Sequence, residues 1–132
     1  MYTFIKIRYK DLNSKAKEMY NFQKVSSVLA DYGFTTMWLN NDWQGADFIA
    51  VHFDGVTDLK IQLKSRLTFD KKYINKNIFI CFIEENEIYM YPHDIVLNNF
   101  KQAYQYINNN NSPWSNKKLT KEQKKLLDKY IL

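Results

Sequence analysis

The sequence is poor in residues that break or cross-link a chain: its 132 residues include three glycines, two prolines and one cysteine. So few glycines and prolines argue against a linker-rich or disordered chain. The single cysteine, Cys81, cannot form an internal disulfide, so a reducing cytoplasm is the expected location. No apolar run is long enough to span a bilayer, and residues 1–10, where apolar and basic residues alternate, contain no visible secretory signal.

Apolar and basic residues are plentiful. Hydrophobic residues make up 45% of the chain and aromatic residues 17%, enough to bury a core, and the length suits a single domain over residues 1–132. The formal net charge is +5 and the pI about 9.2. A positive balance favours an anionic partner, with nucleic acid ahead of a membrane surface.

Hydrophobic periodicity predicts an α/β fold with the order helix, three strands, two strands, helices. Asn13 or Ser14 can cap a first helix that Gly33 ends, and the Asp54-Gly55 pair predicts a tight turn between the second and third strands. Residues 66–76 are predicted as a basic connector and residues 108–111 as a polar break. The predicted helices are 13–32, 93–106 and 120–132, and the predicted strands are 35–39, 47–53, 57–64, 77–83 and 88–91.

One pair of predicted strands carries polar residues suited to chemistry. Asp47 begins the second strand, and Gln62 and Lys64 end the third after a short hairpin. Residues two apart in a strand face the same way, so Gln62 and Lys64 project together. Pairing through the Asp54-Gly55 turn would then bring Asp47 beside them. Two plainer interpretations remain open: Asp47 could bond to turn amides, and Gln62 and Lys64 could line a solvated strand face.

This arrangement resembles the active-site half of the PD-(D/E)XK nuclease superfamily over roughly residues 13–94. The resemblance implies a restriction-endonuclease-like core, in which an acidic and a second polar residue hold a divalent metal beside a lysine. Two positions depart from the pattern, because Ala46 precedes Asp47 where proline is usual and Gln62 stands where Asp or Glu is usual. An amide oxygen can ligate a hard cation but carries no charge, so metal binding should be weaker.

The resemblance also implies roles for the site residues. Asp47 and Gln62 would hold Mg²⁺ or Mn²⁺, and Lys64 would orient water or stabilise charge as a phosphodiester bond in DNA is hydrolysed. Glu18 points along the apolar stripe of the first helix and would complete the metal site, as a helix glutamate often does in this superfamily. The other interpretation of Glu18, that the first helical turn overhangs the core, leaves its side chain in solvent.

The basic residues after this motif are candidates for contacts with a phosphate backbone. They are Arg66, Lys71, Lys72 and Lys76. Small nucleases often dimerise, so a homodimer is expected by analogy. Two alternatives stay open: a catalytically inactive nuclease-fold module that binds nucleic acid or a protein partner, and an α/β scaffold that binds neither metal nor nucleic acid.

Overall fold

The structure is a computed structural model and describes residues 2–108 and 112–132. Residues 109–111, within the predicted polar break, therefore lie outside the described residues. The helices are α1 (Ser14–Asp31), α2 (His93–Ala103) and α3 (Lys121–Leu127). The strands are β1 (Phe34–Trp43), β2 (Ala46–His52), β3 (Asp58–Leu63), β4 (Leu67–Phe69), β5 (Ile78–Glu84), β6 (Glu87–Pro92) and β7 (Trp114–Asn116).

Helix α1 begins and ends close to its predicted limits. The Asn13 side chain accepts a hydrogen bond from the backbone N–H of Ala16 at 2.9 Å, which satisfies one of the unpaired amides of the first turn. Gly33 follows the helix with a φ of +87°, and a Cβ at this position would lie 2.6 Å from the Phe53 ring. Glycine is therefore favoured here for its backbone conformation, and a larger residue would also have to displace the exposed Phe53 ring.

Five strands form one mixed sheet in the order β1-β2-β3-β5-β6. Strands β1, β2 and β3 make the predicted antiparallel meander, β5 joins β3 in parallel, and β6 returns antiparallel to β5. The hairpin between β2 and β3 closes at Asp54, whose carboxylate accepts hydrogen bonds from the backbone N–H groups of Val56 and Thr57, both at 2.8 Å. The expected α/β class, the meander and its turn are confirmed.

The sheet buries its two faces differently. Helix α1 covers the first face, where Val25 and Leu29 pack with Phe48, Ile61 and the buried Cys81. Burial raises the pKa of the Cys81 thiol to about 12. On the second face, α2 packs over β5 and β6.

The meander exposes part of the second face. The side chain of Met37 in β1 is 59% exposed, and that of Val51 in β2 is 38% exposed. Both belong to the side of their strands opposite α1, because their neighbours Trp38 and Ala50 pack in the α1 core. A solvent-accessible strip of sheet therefore lies next to the α2 core.

The predicted connector 66–76 is wrong in part, because it contains a buried strand. Leu67 and Phe69 in β4 are buried, and β4 pairs with β7, far along the chain. The Tyr91 hydroxyl fixes β4 to the main sheet: it donates to the carbonyl of Thr68 at 2.6 Å and accepts from the N–H of Thr68 at 3.1 Å. The segment therefore belongs to the core, and only its polar residues face solvent.

The C-terminal helices are shorter than predicted. Helix α2 ends at Ala103, and α3 ends at Leu127 and continues as a short 3-10 turn. Beyond that turn, Ile131 forms a bridge to Tyr89, so the chain end pairs with the edge of β6 instead of staying helical. Within residues 2–108 and 112–132, no helix is long and apolar enough to cross a membrane.

Candidate metal and nucleic-acid site

Three of the predicted site residues share one face of the sheet. Phe48 of β2 pairs with Ile61 of β3, so the register places Asp47 opposite Gln62. Phe48 and Ile61 point into the α1 core, and their neighbours Asp47 and Gln62 therefore point to the second face. Lys64 continues the alternation just past β3, where its backbone N–H donates to the carbonyl of Cys81 at 2.9 Å.

Asp47 and Gln62 both contact the backbone of Leu63. The Oδ2 atom of Asp47 accepts a hydrogen bond from the Leu63 N–H at 2.9 Å, and the Nε2 atom of Gln62 donates to the Leu63 carbonyl at 3.3 Å. The plainer interpretation of Asp47 expected a bond to turn amides, whereas the amide it meets belongs to the adjacent strand. This bond holds the start of β2 against the end of β3 and orients the carboxylate.

Tyr73, which the sequence interpretation missed, is placed between two lysines. The Nζ atoms of Lys64 and Lys72 lie 5.5 Å and 5.2 Å from the centroid of the Tyr73 ring. Burial raises the pKa of the Tyr73 phenol; Lys72 acts in the opposite direction, and the carboxylates of Asp70 and Asp47 reinforce the rise. Tyr73 thus connects the Asp47 side of the sheet to the basic segment after β4.

Lys60 was also missed, although strand alternation could have found it. It lies two residues before Gln62, and its Nζ donates to Oε1 of Gln44 at 2.9 Å. The same Nζ lies 5.9 Å from the Trp43 ring centroid. Trp43 is the last residue of β1, and Gln44 lies in the β1–β2 turn, which also contains Gly45 at a φ of +83°. The turn and Lys60 therefore form the outer border of the site.

Glu18 has a partner on its own helix. Its Oε1 atom lies 3.0 Å from Nζ of Lys15, and its side chain is 41% exposed. Helix α1 packs on the first face, whereas Asp47 and Gln62 point to the second. The metal-ligating role expected for Glu18 stays a prediction, and the site can be described without it.

The four predicted backbone-binding residues are all exposed, but they differ in what they contact. Only Lys72 is tied to the site by the contacts above, through Tyr73, and its Nζ also lies 4.0 Å from the Asp70 carboxylate. The Lys71 backbone N–H donates to Ser112 at 2.7 Å, leaving its side chain at the surface. Arg66 and Lys76 flank this segment as exposed residues.

Asp47 and Gln62 are the two strand residues that the predicted metal site would use. Asp47 offers one carboxylate and Gln62 one amide oxygen, and Mg²⁺ is commonly held by one or two carboxylates with waters and substrate phosphate. Nowhere in the described part of the chain do three or more His, Cys, Asp or Glu side chains form a group that could hold a metal ion. Comparisons with models of protein families, with curated proteins and with solved structures find no match for this chain.

Proposed function

We propose that this chain is a metal-dependent nuclease of PD-(D/E)XK type that hydrolyses phosphodiester bonds in DNA. One observation carries the proposal: Asp47 stands opposite Gln62 on adjacent strands, and Lys64 follows on the same face, all three being half-buried. A carboxylate, an amide oxygen and an ammonium group on one face, near the ends of two adjacent strands, are the groups that metal-assisted phosphoryl chemistry uses. The net charge of +5 supports an anionic substrate.

Asp47 and Gln62 would hold Mg²⁺ or Mn²⁺. When bound, the cation would polarise a phosphoryl oxygen and lower the pKa of a water molecule. The bond from the Leu63 N–H to Asp47 keeps the carboxylate oriented before substrate arrives, so little reorganisation is needed.

Lys64 supplies a positive charge where negative charge develops on the phosphate oxygens. Its Nζ lies over the ring of the buried Tyr73, which limits the positions that the long side chain can adopt. Lys60, beside Gln44, offers a second cation on the same face. The pair of lysines can therefore bind the scissile phosphate and hold it near Asp47.

A second candidate function is a catalytically inactive module that binds nucleic acid through the same face. Two observations favour it. Gln62 adds no charge to a metal site, and the Asp47 carboxylate already has a structural partner in the Leu63 amide. The basic residues at positions 64, 66, 71, 72 and 76 would serve such a module equally well.

A nicking assay separates the two functions. We expect the chain to convert supercoiled plasmid to the open circle with Mn²⁺ or Mg²⁺, and to leave it intact with EDTA. Lys64→Ala should slow cleavage by about a hundredfold, the order expected for losing a group that stabilises transition-state charge. Lys125→Ala, on the exposed side of α3, is the matched control and should cleave normally. DNA binding with no cleavage in either metal would identify the inactive module.

A further inference from the structure

A large cavity lies on the α1 side of the sheet and reaches Lys64. It has a volume of about 750 Å³ and opens between α1 and the β5–β6 hairpin. Val28, Ile83 and Ile88 give it an apolar wall, and Lys24 contributes a cation. Lys64 also lines the cavity, but its Nζ lies over the Tyr73 ring on the other face of the sheet. A cavity of this size can take a ligand with a planar apolar part and an anionic part.

Two tyrosines stand at this cavity in a fixed arrangement. The rings of Tyr9 and Tyr20 meet edge to face, with centroids 5.2 Å apart and an interplanar angle of 62°. Asn21 donates from Nδ2 to the Tyr9 hydroxyl at 3.0 Å, which holds that ring against α1. Tyr9 is 41% exposed and Tyr20 37% exposed, so both rings keep surface available for contact. Such amphipathic rings suit stacking against a flat aromatic ligand.

Positive charge accompanies both rings. The Nζ of Lys24 lies 5.3 Å from the Tyr20 centroid, and the Nζ of Lys17 lies 5.4 Å from the Tyr9 centroid. The acidic residue in the cavity lining is Glu85, whose carboxylate lies 3.4 Å from Nζ of Lys124. The cavity therefore combines aromatic side chains with basic side chains near its opening.

The N-terminal segment before Tyr9 contains aromatic and basic residues, as the cavity lining does. Phe4 is 91% exposed and Tyr2 78% exposed, and the basic residues Lys6 and Arg8 follow them. Exposed aromatic and basic side chains close together are typical of surfaces that bind single-stranded nucleic acid, where bases stack and phosphates are neutralised. The segment leads directly into the wall of the cavity.

We propose that this cavity receives an unstacked base from a single-stranded nucleic-acid segment, with Tyr20 stacking on the base and Lys24 facing its phosphate. This rests on the proposed function for the class of ligand, nucleic acid; the cavity lies on the α1 face of the sheet, whereas Asp47 and Gln62 point to the second face. A base within a duplex is stacked on both sides and cannot enter, whereas a base in a single strand or a flap can. The preferred ligand is then single-stranded nucleic acid or a duplex with an unpaired segment.

Binding in EDTA tests this without involving cleavage. Anisotropy of a fluorescein-labelled single-stranded DNA should give a Kd at least about tenfold below that of the blunt duplex of the same sequence. Tyr20→Ala should weaken single-strand binding by about 5- to 150-fold, the equivalent of 1–3 kcal/mol for one stacked base, and Tyr20→Phe should restore it. Tyr32→Ala, at the far end of α1 and also exposed, is the matched control and should bind normally.

A base analogue gives an independent readout. Emission of 2-aminopurine in the single strand should change on binding to the wild type and stay unchanged with Tyr20→Ala. Equal affinity for single strand and duplex, with Tyr20→Ala neutral, would overturn the cavity assignment even if metal-dependent nicking persists. If the wild-type chain prefers single strands but does not nick DNA with Mn²⁺ or Mg²⁺, the proposed catalysis is refuted and the cavity assignment stands.

Discussion

The Asp47 carboxylate accepts a hydrogen bond from the backbone N–H of Leu63 at 2.9 Å. This bond joins β2 to β3 at the point where the paired register of the two strands ends. It gives Asp47 a structural role in the meander in addition to the proposed metal-binding role. A substitution that removes the negative charge but keeps the acceptor oxygen can therefore distinguish the two roles.

Asp47→Asn and Asp47→Ala should differ in stability, but both should lose metal binding. The alanine leaves the Leu63 amide without its partner, so we expect its free energy of unfolding to fall by about 1–3 kcal/mol. The asparagine keeps an acceptor oxygen, so its loss should be below about 1 kcal/mol. Both remove the charge and should abolish Mn²⁺ binding by calorimetry. Urea unfolding measures the first effect, with Asp58→Asn at the exposed start of β3 as the control; normal Mn²⁺ binding by Asp47→Asn would contradict the metal role.

Gln62→Glu should convert the weak site into a stronger one. A second carboxylate opposite Asp47 repels the first in the absence of metal, so the Tm should fall in EDTA. With Mn²⁺ the same pair offers two anionic ligands, and both the affinity and the Tm should rise above those of the wild type. Thermal unfolding with and without Mn²⁺ checks this. An unchanged metal affinity would mean that Gln62 is a surface residue only.

Nucleic-acid binding should depend steeply on salt if the basic segment contacts phosphates. Each contact releases counterions, so replacing Lys71 and Lys72 together by Gln should reduce the slope of log K against log [salt] by about 2. Anisotropy titrations from low to physiological salt measure the slope, and Lys117→Gln with Lys118→Gln is the paired control. A flat salt dependence in the wild type would favour a protein partner.

Stability should fall as the pH drops below 6.5 because of His93. This buried ring accepts from the Asp70 N–H at 3.1 Å through Nε2, and its Nδ1 lies 2.9 Å from Asp94. Burial lowers its pKa below 6.5, against the opposing effect of Asp94. The unfolded chain therefore binds the proton first, so the stability present above pH 6.5 is lost as the pH falls toward the folded-state pKa, by at most about 1.4 kcal/mol per pH unit.

His93→Gln tests that assignment by urea unfolding between pH 7.5 and 5. The variant should be less stable at neutral pH, because a packed ring is lost, but its stability should vary less with pH. If the stability of both proteins depends on pH in the same way, titratable groups other than His93 cause the loss of stability.

The parts of the fold that follow from local signals could be predicted from the sequence. Asn13 and Gly33 mark the limits of α1, and Asp54-Gly55 marks the hairpin, since caps and turns depend on residues next to one another. Strand β4 was missed because it is three residues long and its partner β7 lies far along the chain. No periodic pattern can develop over so short a segment.

Some residues of the candidate site could likewise be predicted from local sequence patterns, and others could not. Strand alternation was sufficient to place Gln62 and Lys64 on one face, and the same rule applied one step earlier would have added Lys60. The position of Tyr73 depends on how the segment after β4 folds back on the sheet, which is tertiary packing. Glu18 was assigned by helical direction and by the family resemblance, neither of which can show that Lys15, one turn away, provides its partner.

The most direct test of the central claim is a crystal of the chain soaked in Mn²⁺, with anomalous diffraction data. We predict an anomalous peak on the second face of the sheet, within about 2.3 Å of a carboxylate oxygen of Asp47 and close to the amide oxygen of Gln62. The peak should be absent from Asp47→Asn crystals soaked in the same way. Full Mn²⁺ occupancy elsewhere in the wild type, with no peak between Asp47 and Gln62, would contradict the proposed metal site.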